Sequence, residues 1–119
     1  MRTKAERPSE LKSVTTRVPT GLGNMYITVT FLDEKPFELF ATISKSGKEV
    51  HAMTEALGRL VSLWLRSGGE VNDIVDQLIG IAGENPLAIG KGVTLSIPDG
   101  IAQMLRKLPL KGGDPDETK

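Results

Sequence analysis

The chain contains no cysteine. That absence excludes a thiol nucleophile, a radical-carrying thiol, a disulfide and a thiolate metal ligand. It also gives no reason to expect an oxidising compartment, so a cytoplasmic location is expected. Imidazole is nearly absent as well, with His51 the single histidine. Aromatic residues make up 4% of the chain and Lys plus Arg (15) balance Asp plus Glu (15), giving a formal net charge of zero. Nucleic-acid partners select for a basic excess, so one is not expected here. No apolar run approaches the ~20 residues that span a bilayer. The N-terminal MRTKAERPSE has basic residues with no hydrophobic segment behind them, so neither a membrane anchor nor a secretory signal is expected.

What remains is a soluble composition, 39% hydrophobic and 25% charged over 119 residues. Such a length suits one domain, which buries roughly 65% of its unfolded surface. Residues 1–12 are polar and read as a flexible N-terminal arm, residues 13–108 as the domain, and residues 109–119 as a disordered tail rich in Gly, Pro and charge. Within the domain, Val14 to Val18 is a β-branched run that Pro19 is expected to end. Thr20 to Asn24 is a turn. Met25, Ile27, Val29 and Phe31 then alternate with Tyr26, Thr28 and Thr30, which predicts a half-buried strand. A short connection, Asp33 to Pro36, leads to a second alternation at Phe37, Leu39, Ala41 and Ile43, so the two strands should form an antiparallel hairpin.

After Gly47 the period lengthens. Val50, Met53, Leu57, Leu60, Val61, Trp64 and Leu65 make one long helical stripe, stopped by Gly68 and Gly69. Val71, Ile74, Val75, Leu78 and Ile79 mark a second helix, and Gly80 to Gly92 reads as loop. Ser96 and Asp99 form a capping-box-like pair, with Pro98 in the first turn of a third helix that carries Ile101, Met104, Leu105 and Leu108. The order predicts an α+β fold, a small antiparallel sheet of about three strands with about three helices packed on one face.

Chemistry-bearing residues are few, and no catalytic residue is assigned. His51 lies off the apolar stripe with Glu55 one turn on, which is more simply a solvated pair than a base or a metal site. The segment Gly83 to Gly92 is too long, and lacks the Ser or Thr, for a phosphate loop. The turn that enters the long helix is better equipped. Lys45, Ser46, Gly47 and Lys48 combine two ammonium groups, a hydroxyl and free backbone N–H groups at the positive end of a helix dipole. With Asn24 on a neighbouring loop they form a candidate anion or nucleotide site. Arg59 and Arg66 lie two helical turns apart and are candidate contacts to a partner's carboxylates.

Several short pieces keep a definite order along the chain: Arg7-Pro8, Gly23 to Thr28, Pro36 to Phe40, Lys45 to Gly47, Thr54 to Leu60, Leu65 to Gly68, Gln77 to Ile81, and Ser96 with Pro98-Asp99. In order and spacing they resemble the TSCPD-domain family, the small C-terminal module of adenosylcobalamin-dependent (class II) ribonucleotide reductases, also found as stand-alone proteins. In the Thr-Ser-Cys-Pro-Asp signature, Leu95 replaces Thr and Ile97 replaces Cys. Leu22 and Gly83 stand where some relatives have further cysteines. The resemblance implies an accessory or regulatory module of deoxyribonucleotide synthesis. It would not be catalytic alone, and it would dock on a reductase catalytic polypeptide or pair with itself. Adenosylcobalamin would enter only through that partner, no cofactor or metal being bound by this chain. A small nucleotide- or anion-binding sensor is the alternative.

Overall fold

The computed structural model describes residues 4–108. The expected disordered tail therefore lies outside the described residues. Three strands, β1 (Lys12–Thr20), β2 (Gly23–Leu32) and β3 (Lys35–Ile43), form an antiparallel sheet in the order β1-β2-β3. Helices α1 (Lys48–Arg66) and α2 (Val71–Leu78) follow, then a small hairpin of β4 (Leu87–Ile89) and β5 (Gly92–Thr94), then α3 (Ile97–Arg106). The α+β class and the antiparallel hairpin agree with the sequence reading.

Alternation places the core. Met25, Ile27 and Val29 of β2 and Leu39, Ala41 and Ile43 of β3 point to one face and meet Val61 and Leu65 of α1, Ile74 and Val75 of α2, and Ile101 and Leu105 of α3. The opposite face is open in part, with Tyr26 and Phe40 exposed but Thr30 and Glu38 buried, and the hydroxyls of Thr15 and Thr28 paired across the strands at 2.8 Å. Cross-strand pairs of this kind stabilise an exposed sheet face.

Three details depart from the sequence reading. β1 runs through Pro19 to Thr20. Proline is tolerated there because β1 is an edge strand. The β2–β3 connection shrinks to Asp33 and Glu34, both at positive φ (51° and 66°), as a two-residue hairpin turn matched to strand twist requires. The register slips between Thr30 and Phe31, which pair with Glu38 and Pro36, so Phe37 is a bulged residue. It is buried, but outside the main core. Finally, Gly80 to Gly92 is not all loop, since Leu87–Ile89 and Gly92–Thr94 pair around Gly90 and Lys91. Strands of three residues are too short to show a period.

α1 does more than cover the sheet; it caps the free edge of β3. The Ser62 hydroxyl donates to Leu39 O (3.0 Å) and accepts from Leu39 N (2.9 Å), satisfying backbone groups that an edge strand otherwise leaves open. Gly58 eases this close approach, since a Cβ there would lie 3.2 Å from Leu39 O. At its far end α1 stops on Gly68, which takes φ +87°.

Candidate functional site

The residues expected to bind an anion sit where the β1–β2 turn meets the β3–α1 linker. Asn24 O accepts from Ser44 N (2.9 Å) and from the Ser44 hydroxyl (3.3 Å). The Ser46 hydroxyl donates to Leu22 O at 2.7 Å. Gly47 is the N-cap of α1; it brings no capping side chain, and its carbonyl accepts from His51 N at 3.1 Å. Lys45, at φ +56°, and Lys48 are exposed beside it. Hydrogen bonds to Asn24 O and Leu22 O thus hold the stretch from Ser44 to Ser46 against the β1–β2 turn, with Gly47 next along the chain and two ammonium groups at the margin. Glu49 already places a carboxylate in the first turn, where the helix dipole favours one.

Arg59 and Arg66 part company. Arg59 forms an exposed i,i+4 pair with Glu55 at 2.7 Å. Arg66 turns inward: its Nε and Nη2 donate to Ala5 O (3.2 and 2.7 Å), its guanidinium lies 5.3 Å above the Phe37 ring, and its Nη1 stands 3.8 Å from Glu38. Glu38 is the hub of this end. Buried on the sheet's outer side, it accepts from Arg7 Nε through both carboxylate oxygens at 3.0 Å and from the Thr30 hydroxyl at 3.0 Å. Ala5 N also donates to Arg66 O at 2.9 Å, so the segment before β1 is strapped across the end of α1. The side chain of Arg66 is 16% exposed and that of Arg7 is 41% exposed. Arg66→Ala should therefore lower stability by about 2 kcal/mol and Arg7→Ala by about 1, the more exposed pair being screened by water. Parallel thermal melts check that order.

A second buried carboxylate organises the other end. Asp99, 2% exposed, accepts through Oδ1 from Gly80 N at 2.8 Å. Through Oδ2 it accepts from Leu95 N at 2.9 Å and Gln103 Nε2 at 2.7 Å. The expected cap is present: Asp99 N donates to the Ser96 hydroxyl at 3.2 Å, and that hydroxyl donates in turn to Ile81 O at 2.7 Å. Gln103 Nε2 also reaches Val93 O at 2.8 Å, and Gly83 N donates to Leu95 O at 3.0 Å. Ser96 to Gln103 thereby ties the end of α2, the linker after it and β5 to α3. Among the described residues, no buried side-chain nitrogen or oxygen lacks a partner. Both carboxylate hubs are hydrogen-bonded within the fold.

A family model described as the TSCPD domain matches residues 1–109. The chain belongs to the TSCPD-domain family. No curated protein and no solved structure matches it. In this TSCPD domain the residues that resemble the Thr-Ser-Cys-Pro-Asp signature help to fold it. Ser96 caps α3, Pro98 sits in the first turn where its missing N–H is harmless, and Asp99 gathers three donors. The altered positions are apolar. Ile97 is buried, Leu95 lends only its backbone to the knot, and Leu22 stands 41% exposed at the β1–β2 turn. A thiolate-bound metal does not fit these positions, since none of Leu22, Gly83, Leu95 and Ile97 carries a donor side chain. Among the described residues, no group of three or more His, Cys, Asp or Glu is placed to hold a metal ion, and no helix is long and apolar enough to cross a membrane.

Glu38 and its clasp escaped the sequence reading. Alternation put Glu38 on the solvent side of β3, and a partner from the distant Arg7 leaves no local pattern. Asp99 was legible as a cap, but not as a carboxylate that gathers Gly80, Leu95 and Gln103.

Proposed function

We propose that this TSCPD domain is an accessory or regulatory module of deoxyribonucleotide synthesis. It docks on the catalytic polypeptide of a class II ribonucleotide reductase and does not itself reduce ribonucleotides. The single observation behind this reading is the family match over residues 1–109 in a chain without cysteine. Thiyl-radical reduction needs sulfur, and here both buried carboxylates are spent on folding. Adenosylcobalamin then enters only through the partner, and a cytoplasmic location follows from that association.

The test is reconstitution. The domain alone, given adenosylcobalamin, a ribonucleotide and a dithiol, should produce no deoxyribonucleotide. Added to a class II reductase polypeptide that lacks such a module, it should be retained on the immobilised enzyme and change its turnover. Deoxyribonucleotide formation by the domain alone would overturn the reading, and so would a reductase that neither retains the domain nor responds to it.

The alternative, a small nucleotide or anion sensor, has less support. Of its residues, Ser46 spends its hydroxyl on Leu22 O and Gly47 offers only backbone. Calorimetry with a nucleoside triphosphate showing saturable heat that Lys45→Ala abolishes would reverse the ranking.

A further inference from the structure

The apolar arc of α1 is wider than the face it buries. Thr54, Gly58, Val61 and Leu65 are the buried residues. At 100° per residue, Leu57 and Trp64 come next around the helix, then Met53 and Leu60. Leu57 and Trp64 are half-buried, whereas Met53 is 60% exposed and Leu60 64%. Scattered exposed leucines are ordinary, but a contiguous helical stripe of them marks a contact surface. α2 lies alongside and turns the stripe into a groove of ≈ 460 Å³, walled by Leu57, Leu60, Trp64, Ile74 and Leu78, with Asp73 and Gln77 on the α2 rim.

The groove is preformed. Trp64 Nε1 donates to Glu70 O at 3.0 Å. The backbone of Gly69 lies flush against the indole, leaving no room there for even a Cβ. A fixed aromatic wall loses little freedom on binding, which favours affinity.

Charge selects the occupant. Asp73 stands on the α2 rim of the groove, and between Arg66 and Lys91 the chain carries Glu70, Asp73, Asp76 and Glu84 with no basic residue to offset it. The groove's complement is an apolar stripe with Lys or Arg along one edge. A second copy supplies a poor complement. Its own exposed apolar helix is α1, which brings Glu49 and an Arg59 already paired with Glu55. An anionic lipid surface would meet the same acidic rim.

We infer that the α1–α2 groove docks an amphipathic helix of a partner polypeptide, apolar side inward and basic edge against α2. The inference deepens the accessory reading, and rests on it only for naming the reductase as that partner.

Trp64 is the single tryptophan of the chain and lines the groove, so its fluorescence reports occupancy directly. A synthetic Leu/Lys amphipathic helical peptide should shift Trp64 emission saturably, and its Leu/Glu counterpart should not. Leu60→Asp, with its fold checked by circular dichroism, should weaken the Leu/Lys peptide by about tenfold or more, as loss of a central apolar anchor does. It would do so despite adding a negative charge, which separates groove binding from bulk attraction. Asp73→Asn, which removes the rim carboxylate, should weaken it severalfold and erode the preference over Leu/Glu. Equal response to both peptides, or full binding by Leu60→Asp, would overturn the inference. A Trp64 shift on anionic phosphatidylglycerol vesicles without one on the peptide would also overturn it, as would a concentration-dependent dimer that buries Trp64. Retention on the immobilised reductase separates the two proposals. If Leu60→Asp loses the peptide but keeps the reductase, the groove is not the reductase surface and the accessory reading stands. If wild type binds the peptide in the groove but no reductase, the groove stands and the accessory reading falls.

Discussion

Asp99→Ala is expected to remove about 3 kcal/mol of stability, a large share of the ~6–15 kcal/mol that a domain of this length has in total. The carboxylate gathers Gly80 N, Leu95 N and Gln103 Nε2 while almost wholly buried. Alanine leaves those donors facing a small void, and each buried donor without an acceptor costs about 1–3 kcal/mol, less where water can enter. Asp99→Asn should be nearly as damaging although it keeps the shape. An amide offers one acceptor oxygen, and its NH2 group must face an N–H donor on whichever side it is placed. Urea denaturation gives the loss. Amide exchange locates it, because Gly80 and Leu95 should lose protection first, and with them the link from α2 to α3. An Asp99→Asn variant as stable as wild type would show that the knot is incidental.

Gly58→Val should be comparably disruptive, by about 3 kcal/mol, whereas Gly58→Ala should be close to neutral. The alanine case sets two small effects against each other. Alanine favours the helix by about 1 kcal/mol over glycine, but its Cβ sits 3.2 Å from Leu39 O, so α1 must give by a few tenths of an ångström. Valine adds two methyls in the same narrow space and forces α1 off the β3 edge. Overpacking of that kind costs about 1–3 kcal/mol. The displacement also takes the Ser62 hydroxyl out of reach of Leu39, leaving an edge amide unsatisfied. Thermal melts give the total, and exchange at the Leu39 amide reports the edge. Unchanged Leu39 protection in Gly58→Val would show that α1 does not need this close approach.

The two predictions touch the protein at separate ends, and neither lies in the α1–α2 groove. A stable Leu60→Asp domain that loses its helical partner, beside an Asp99→Ala domain that loses stability, would separate the surface that acts from the scaffold that holds it.

Much of this architecture was legible in the chain because it is local. The alternation of β2 and β3, the stripe of α1 and the Ser96 cap of α3 each involve residues within one turn or one pleat of each other. The apolar pattern therefore reports them whatever the rest of the chain does. The family was legible for a related reason, since ordered short pieces survive even where the signature's Thr and Cys have become Leu95 and Ile97. Of the candidate site residues, Ser46 and Gly47 are adjacent in the chain, and Asn24, read as part of a loop, lies in β2 and meets Ser44 because the β2–β3 hairpin brings its ends together. Arg66 could not be distinguished from Arg59 by its spacing.

By itself, then, the sequence determined the three long strands and the three helices, which side of most of them is apolar, and that no thiol chemistry is possible. Only the tertiary structure decided that Glu38 is buried under Arg7, that Arg66 faces inward while Arg59 does not, that Ser62 seals the β3 edge, and that the surplus apolar arc of α1 becomes a groove once α2 lies beside it. The physical reason is the same in each case. Burial of a charge and exposure of a leucine depend on which distant segment arrives against them, and no local period encodes that arrival.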